Sequence, residues 1–179
     1  MKRWALLCGV MLLSAVAASA QEAPKVEVFG GYSYVHATVS GTDFTANMNG
    51  GSAAVSYNPA NWLGLVAEVG GYHGGENSLG VGVNGDVYTF LFGPKTTFRV
   101  GRFTPFVQTL FGAAHASTNS VYGSSTGFAM ATGGGIDCNL TPHVGVRLVE
   151  ADYLLTMLND TFNNRQNNAR VSAGVVFRW

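Results

Sequence analysis

From Gln21 onward apolar side chains recur at every second residue, so the chain predicts strands and no sustained helix. Residues 25–36, "KVEVFGGYSYVH", set Val26, Val28, Gly30, Tyr32 and Tyr34 on one face. Glu27, Phe29, Gly31 and Ser33 take the other. The same alternation separates Ala53, Val55 and Tyr57 from Ser52, Ala54 and Ser56 in "GSAAVSYN". It sets Leu63, Leu65, Ala67 and Val69 against Gly64, Val66, Glu68 and Gly70, then Tyr88, Phe90 and Phe92 against Thr89, Leu91, Gly93 and Lys95. "FTPFVQTLFGAAH", "FAMATGGGID", "HVGVRLVEADYLL" and "ARVSAGVVFRW" bring the predicted strands to eight.

The connections alternate in length. Polar or Gly-rich stretches at 37–50, 73–85, 116–127 and 156–168 join strands one to two, three to four, five to six and seven to eight. The joints between these pairs are short: "NPAN" at 58–61, "RVGR" at 99–102 and "NLTP" at 139–142. An up-and-down meander then carries four long loops at one end, and both termini with the short turns at the other. Transmembrane barrels of outer membranes have this asymmetry, with short periplasmic turns and long extracellular loops.

Alternation alone also fits a soluble sandwich, whose polar face meets bulk water. Here that face is mostly small: Gly31, Ser33, Ser52, Ala54, Ser56, Gly64, Gly70, Gly93, Gly112, Ala114, Ala129, Ala131, Gly133, Gly135, Ser172 and Gly174. Its charges are few: Glu27, Glu68, Lys95, Asp137, Arg170 and Arg178. A narrow eight-stranded lumen filled by side chains requires such a face. Charged residues make up only 11% of the chain, against roughly 25% in ordinary globular domains. Tyr57, Trp62, Phe98, Phe103, Phe177 and Trp179 fall toward the short-turn end, and Tyr32, Tyr34, Tyr72, Tyr88 and Phe128 toward the long-loop end. Two interfacial girdles are expected from these positions.

Residues 1–20, "MKRWALLCGVMLLSAVAASA", read as a cleaved signal peptide: a basic start, an apolar stretch too short to span, and small residues before Gln21. The domain is then 21–179. Loss of Lys2 and Arg3 leaves a net charge of −2, and with no basic patch nucleic acid is not an expected partner. Leu7 before Cys8 argues against lipidation, and Cys138, alone after cleavage, reads as a buried or lipid-facing apolar residue.

The mature chain resembles, over nearly its full length, the small eight-stranded outer-membrane barrels similar to the OmpA transmembrane domain and the opacity-type proteins. The segments that carry the resemblance are "VFGGYSY" at 28–34, "FGPKTTF" at 92–98, "TPFVQTLFGAAH" at 104–115, "GGGIDCNLTPHVGVR" at 133–147, "EADYLLT" at 150–156 and "GVVFRW" at 174–179. The resemblance implies bacterial outer-membrane lipid and lipopolysaccharide as surroundings. It also implies that Phe177 and Trp179 act as an assembly signal for the barrel-insertion machinery. With the barrel running to Trp179, no anchoring through a peptidoglycan-binding domain is implied.

Few residues suggest chemistry. Glu27 and Arg178 are expected to meet across the seam between strands one and eight; neutralising both should then cost less than removing one. Arg147 and Glu150 have opposite parity, which a β-bulge or a snorkelling Arg147 would reconcile. Pro94 and Pro105 each remove a ladder donor and point to bulges or strand ends. In "HASTN" His115 and Ser117 share a face, as a hydrolase pair would, yet no acid lies in 128–136 on the next strand. "GGENSLGVGVNG" is followed by no helix and is expected to be a surface loop, not a phosphate cradle. His36, His73, His115 and His143 are scattered, without metal-ligand spacing, and "NNRQNN" reads as solvated loop. No cofactor or catalytic residue is expected. The expected function is a non-enzymatic outer-membrane barrel, an envelope scaffold or a platform for loop-mediated binding of an extracellular ligand. The alternatives are a narrow small-solute pore and, remotely, a secreted soluble β protein.

Overall fold

The computed structural model describes residues 24–39, 45–78, 81–118, 124–157 and 166–179. These form β1 (Val26–Val39), β2 (Thr45–Tyr57), β3 (Leu63–Ser78), β4 (Val81–Thr97), β5 (Phe103–Thr118), β6 (Ser124–Asn139), β7 (Val144–Met157) and β8 (Gln166–Arg178). Each strand pairs antiparallel with its chain neighbours, and β8 returns to β1, closing the barrel. Closure leaves no unpaired edge, the condition for a sheet to stand in lipid. At the seam Glu27 lies opposite Arg178 and Gly31 opposite Gly174. Backbone bonds between Val26 and Trp179, 3.0 and 2.9 Å, continue the ladder past the last strand residue.

The two faces divide as the alternation requires. Phe29, Val35, Val66, Leu91, Leu110, Leu154 and Val176 turn inward and are buried. Large apolar side chains stand outward around the wall, among them Phe90 and Phe92 at 58% exposure each. Trp62, Phe98, Phe103, Phe177 and Trp179 project near the short-turn end. Tyr72 departs from the girdle predicted for it: it is 3% exposed and points into the barrel. It shares the parity of Glu68 and Gly70, which puts it inside whatever its height along the strand.

The strands also run further than predicted. β3 and β4 pair continuously from Leu63↔Thr96 to Ser78↔Val81, so "GGENSLGVGVNG" is the top of a hairpin and only Leu79 and Gly80 lie outside the described residues. Likewise Gln166, Asn167 and Asn168 of "NNRQNN" belong to β8, and Asn168 is buried. The cause is that backbone pairing satisfies N–H and C=O groups whatever side chains they carry, so ladders continue where apolar alternation ends. The remaining loop tips and residues 1–23, including the predicted signal peptide, lie outside the described residues.

β7 contains one break in register. Arg147 faces Asp137 and Gly174, whereas Glu150 faces Gly135 and Ser172, so β7 carries an extra residue. Leu148 and Val149 point outward in succession, at 52% and 42% exposure, while Arg147 and Glu150 both point in. Of the two alternatives for this pair, the bulge is the one present. Pro94 sits outward within β4 and Pro105 outward near the start of β5.

Candidate functional site: a charged lumen

Each of Glu27, Glu68, Lys95, Asp137, Arg170 and Arg178 is buried inside the barrel. Alternation delivers them there from β1, β3, β4, β6 and β8, and a continuous set of polar contacts joins them. Lys95 Nζ donates to Glu27 Oε2 at 2.5 Å and to Ser56 Oγ at 3.1 Å. Arg178 Nε donates to the other Glu27 oxygen at 3.3 Å, and its Nη2 donates to Asp137 Oδ2 at 2.9 Å. Arg99, from the turn between β4 and β5, approaches Glu27 to 3.6 Å and also bonds the Asn61 carbonyl. Glu27 and Arg178 do meet, but neither has the other as sole partner. Removing both would leave Lys95 and Arg99 without their carboxylate, so the two residues do not form an isolated unit.

Further up the barrel Arg147 Nε donates to Asp137 Oδ1 at 2.9 Å and its Nη1 to Glu150 Oε2 at 2.5 Å. The rings of Phe29 and Phe106 lie against its guanidinium, with centroids at 4.2 and 4.3 Å, so the charge is held between two π faces. Gln108 Nε2 donates to Glu150 Oε1 at 2.7 Å. Arg170 lies at 1% exposure. It donates to both Glu68 oxygens, to Asp152 Oδ2 at 2.6 Å and to the Tyr72 hydroxyl at 3.0 Å. These contacts cross the interior: Arg170 on β8 reaches β3, Lys95 on β4 reaches β1, and Gln108 on β5 reaches β7.

Five carboxylates, Glu27, Glu68, Asp137, Glu150 and Asp152, thus face five cations, Lys95, Arg99, Arg147, Arg170 and Arg178. Four of the cations are buried with the five acids, and Arg99, part-buried at the turn, completes the formal balance; pairing of this kind is what a low-dielectric interior demands of buried charge. Asp152, Arg99 and Tyr72 are members that sequence reasoning did not assign to the lumen. Asp152 could have been found, since it shares parity with Glu150. Arg99 could not, because it enters from a turn. Level with Glu150, Ser33 bonds Ser52 at 2.8 Å and Ser172 at 2.7 Å, linking β2, β1 and β8 across the seam.

Of "HASTN", Asn119 lies outside the described residues, and His115 and Ser117 have a different environment from that of a hydrolase pair. His115 Nδ1 is bonded to Thr126 Oγ1 at 2.7 Å. The acid in register with Ser117 is Asp86, and it is bonded at 2.6 Å to His73 on its other side. A catalytic relay needs the imidazole between acid and hydroxyl, and here the acid stands in the middle. No cluster of metal-ligating side chains occurs among the described residues.

A closed antiparallel barrel with an apolar exterior and a charge-paired interior defines a small integral protein of the outer-membrane type. The chain belongs to the outer membrane protein beta-barrel domain family, whose model matches residues 5–178. The protein is therefore one of the bacterial outer membrane, and the secreted soluble alternative is set aside. Its fold is similar to that of Neisserial surface protein A, with a TM-score of 0.70, 17% identity and coverage of 89% of this chain and 100% of that one. It is similar also to Ail, the attachment invasion locus protein of Yersinia pestis, at TM-score 0.61, 19% identity and coverage of 88% and 100%. The N-terminal β-barrel domain of Pseudomonas aeruginosa OprF matches at TM-score 0.55, 16% identity and coverage of 88% and 100%. No curated protein sequence matches significantly.

Proposed function

We propose that this protein is a closed, non-enzymatic barrel that stabilises the outer membrane as a scaffold and presents its hairpin tips for binding. In this reading residues 1–20 are a removed signal peptide and the domain is 21–179. The short turns and both termini face the periplasm, and the four longer hairpins stand outside. Phe177 and Trp179 guide insertion by the assembly machinery, and lipopolysaccharide surrounds the outer half of the wall. The observation that carries the proposal is the set of ion pairs reaching from wall to wall, Arg170 to Glu68 and Lys95 to Glu27. Paired side chains of this size occupy an eight-stranded interior and oppose a water-filled path. The six charges read from sequence act here as structure, not as an ion-selective ring.

Ail was crystallised with the heparin analogue sucrose octasulfate, a polyanion. The long-loop end of the present sequence carries Asp43, Glu76, Asp86 and Asp160 against Arg165, a balance that disfavours such a ligand. Proteoliposomes separate scaffold from pore. They should swell in small sugars no faster than protein-free vesicles; rapid swelling would support the small-solute pore.

A further inference from the structure

The exposed surface of the short-turn end carries cations and, among the described residues, no side-chain carboxylate. Of the described acids, Glu27, Glu68, Asp137, Glu150 and Asp152 are buried, while Glu76 and Asp86 lie toward the long-loop end. Arg102, in the turn between β4 and β5, is exposed, and among the described residues its side chain has no hydrogen bond or ion pair. Arg99 in the same turn differs: it is part-buried, bonds the Asn61 carbonyl and approaches Glu27 to 3.6 Å.

The turn that presents Arg102 is tight. Val100 and Phe103 exchange backbone bonds of 2.9 and 3.1 Å, and Gly101, at φ 60°, supplies the left-handed residue that a two-residue hairpin turn requires. Around it the surface is apolar: Val100 and Leu140 are each 64% exposed, Trp62 59% and Phe103 52%. Backbone bonds bring these together. Thr97 N donates to the Trp62 carbonyl at 2.9 Å, and Asn139 N, beside Leu140, donates to the Arg102 carbonyl at 2.8 Å. Val and Leu at turn tips gain nothing from water, and a contiguous exposed apolar patch marks a surface that something covers. At the end of an outer-membrane barrel wall that cover is the lipid interface, the level of the aromatic girdles.

A guanidinium without a protein partner on such a surface selects its ligand by charge. Its N–H groups fit two phosphate oxygens at once, and charge-assisted bonds of this kind are the strong ones. An amphiphile with an anionic phosphate answers both parts of the surface, headgroup to Arg102 and acyl chains to the apolar rim. A soluble anion would leave Val100, Phe103 and Leu140 uncovered. A periplasmic protein would first have to displace lipid from them. Among bilayer phospholipids, phosphatidylethanolamine holds its own ammonium beside its phosphate, where it repels the guanidinium. Phosphatidylglycerol has no such cation.

We propose that the β4–β5 turn binds one anionic phospholipid of the phosphatidylglycerol class, its phosphate on Arg102 and its acyl chains against Trp62, Val100 and Phe103. The proposed orientation puts this site in the inner leaflet, but the preference for negative charge does not depend on it. Trp62 and Trp179 are the tryptophans of residues 21–179, so a Trp179→Phe protein reports from Trp62 alone. This protein is reconstituted in phosphatidylethanolamine–phosphatidylcholine bilayers holding an equal minor fraction of dibrominated phosphatidylglycerol or dibrominated phosphatidylethanolamine, and bromine quenching of Trp62 is compared. Phosphatidylglycerol should be favoured about fivefold, the worth of one cation at an anionic headgroup, and less at high salt. Arg102→Gln, an exposed turn variant that keeps the heat-dependent gel shift of a folded barrel, should abolish the excess. Lys25→Gln, exposed beside β1 on the far side of the ring from β5, should leave it intact. Equal quenching by the two lipids, or an excess that survives Arg102→Gln, would overturn the proposal. An excess lost equally in Lys25→Gln would replace the site with diffuse attraction by the rim, and so overturn it too. Both leaflets of such vesicles hold the same lipids, so these readings stand whichever way the barrel inserts.

Discussion

Arg170, on β8, ties two other strands of the interior together. Its guanidinium holds Glu68 from β3 and Asp152 from β7, with Tyr72 beside them. Arg170→Met would leave two buried carboxylates without this cation. Breaking a buried ion pair from one side costs about 3–5 kcal/mol, and we expect a loss of that size. Urea titration in lipid vesicles, followed by gel mobility, should show it. Adding Glu68→Gln and Asp152→Asn should recover at least half, because no unpaired charge then remains. An Arg170→Met barrel as stable as wild type would show that the network adds nothing. Tyr72 illustrates what was legible at this scale: its parity with Glu68 already placed it inside, but its aromatic ring suggested a girdle. Parity is fixed by the pleat, whereas a residue type only favours a depth, so parity prevails. Arg99 carried no such mark, since turn residues have no sheet face.

At the scale of elements, the eight strands were readable because a wall with lipid on one side and a packed lumen on the other imposes period two on every crossing. Their upper ends were not, because above the bilayer neither face must be apolar. The bulge in β7 was legible only as a conflict between Arg147 and Glu150. It also yields a sharp test. Deleting Leu148 leaves Arg147 inward, Val149 outward and Glu150 inward, a regular strand. Deleting Phe111 from β5, where no bulge can absorb the change, moves half the strand's side chains to the wrong face. The Leu148 deletion should therefore yield a heat-modifiable barrel, and the Phe111 deletion should not. Failure of both to fold would show that the bulge itself is required. The closing strand makes a second test. Phe177 and Trp179 stack with centroids 6.3 Å apart on the outer surface, beside the backbone bonds that join Trp179 to Val26. Trp179→Ala should lower membrane yield several-fold, more than Asn163→Ala in the last connection. Equal yields would remove the role of the terminal aromatic in insertion.

The whole molecule combines two solutions to one problem. Outside, Phe, Val and Tyr side chains meet lipid; inside, the five buried acids named above are paired with four buried cations and with part-buried Arg99 at the turn. Composition pointed toward the first solution through its scarcity of charge. It could not show the second, because pairing depends on which strands face one another across the lumen. As proposed, these pairs close the interior. Recording from purified protein in planar bilayers separates a closed from an open interior: a baseline without sustained openings over a wide voltage range is expected. Reproducible ohmic openings from the wild-type barrel would contradict it and establish a pore.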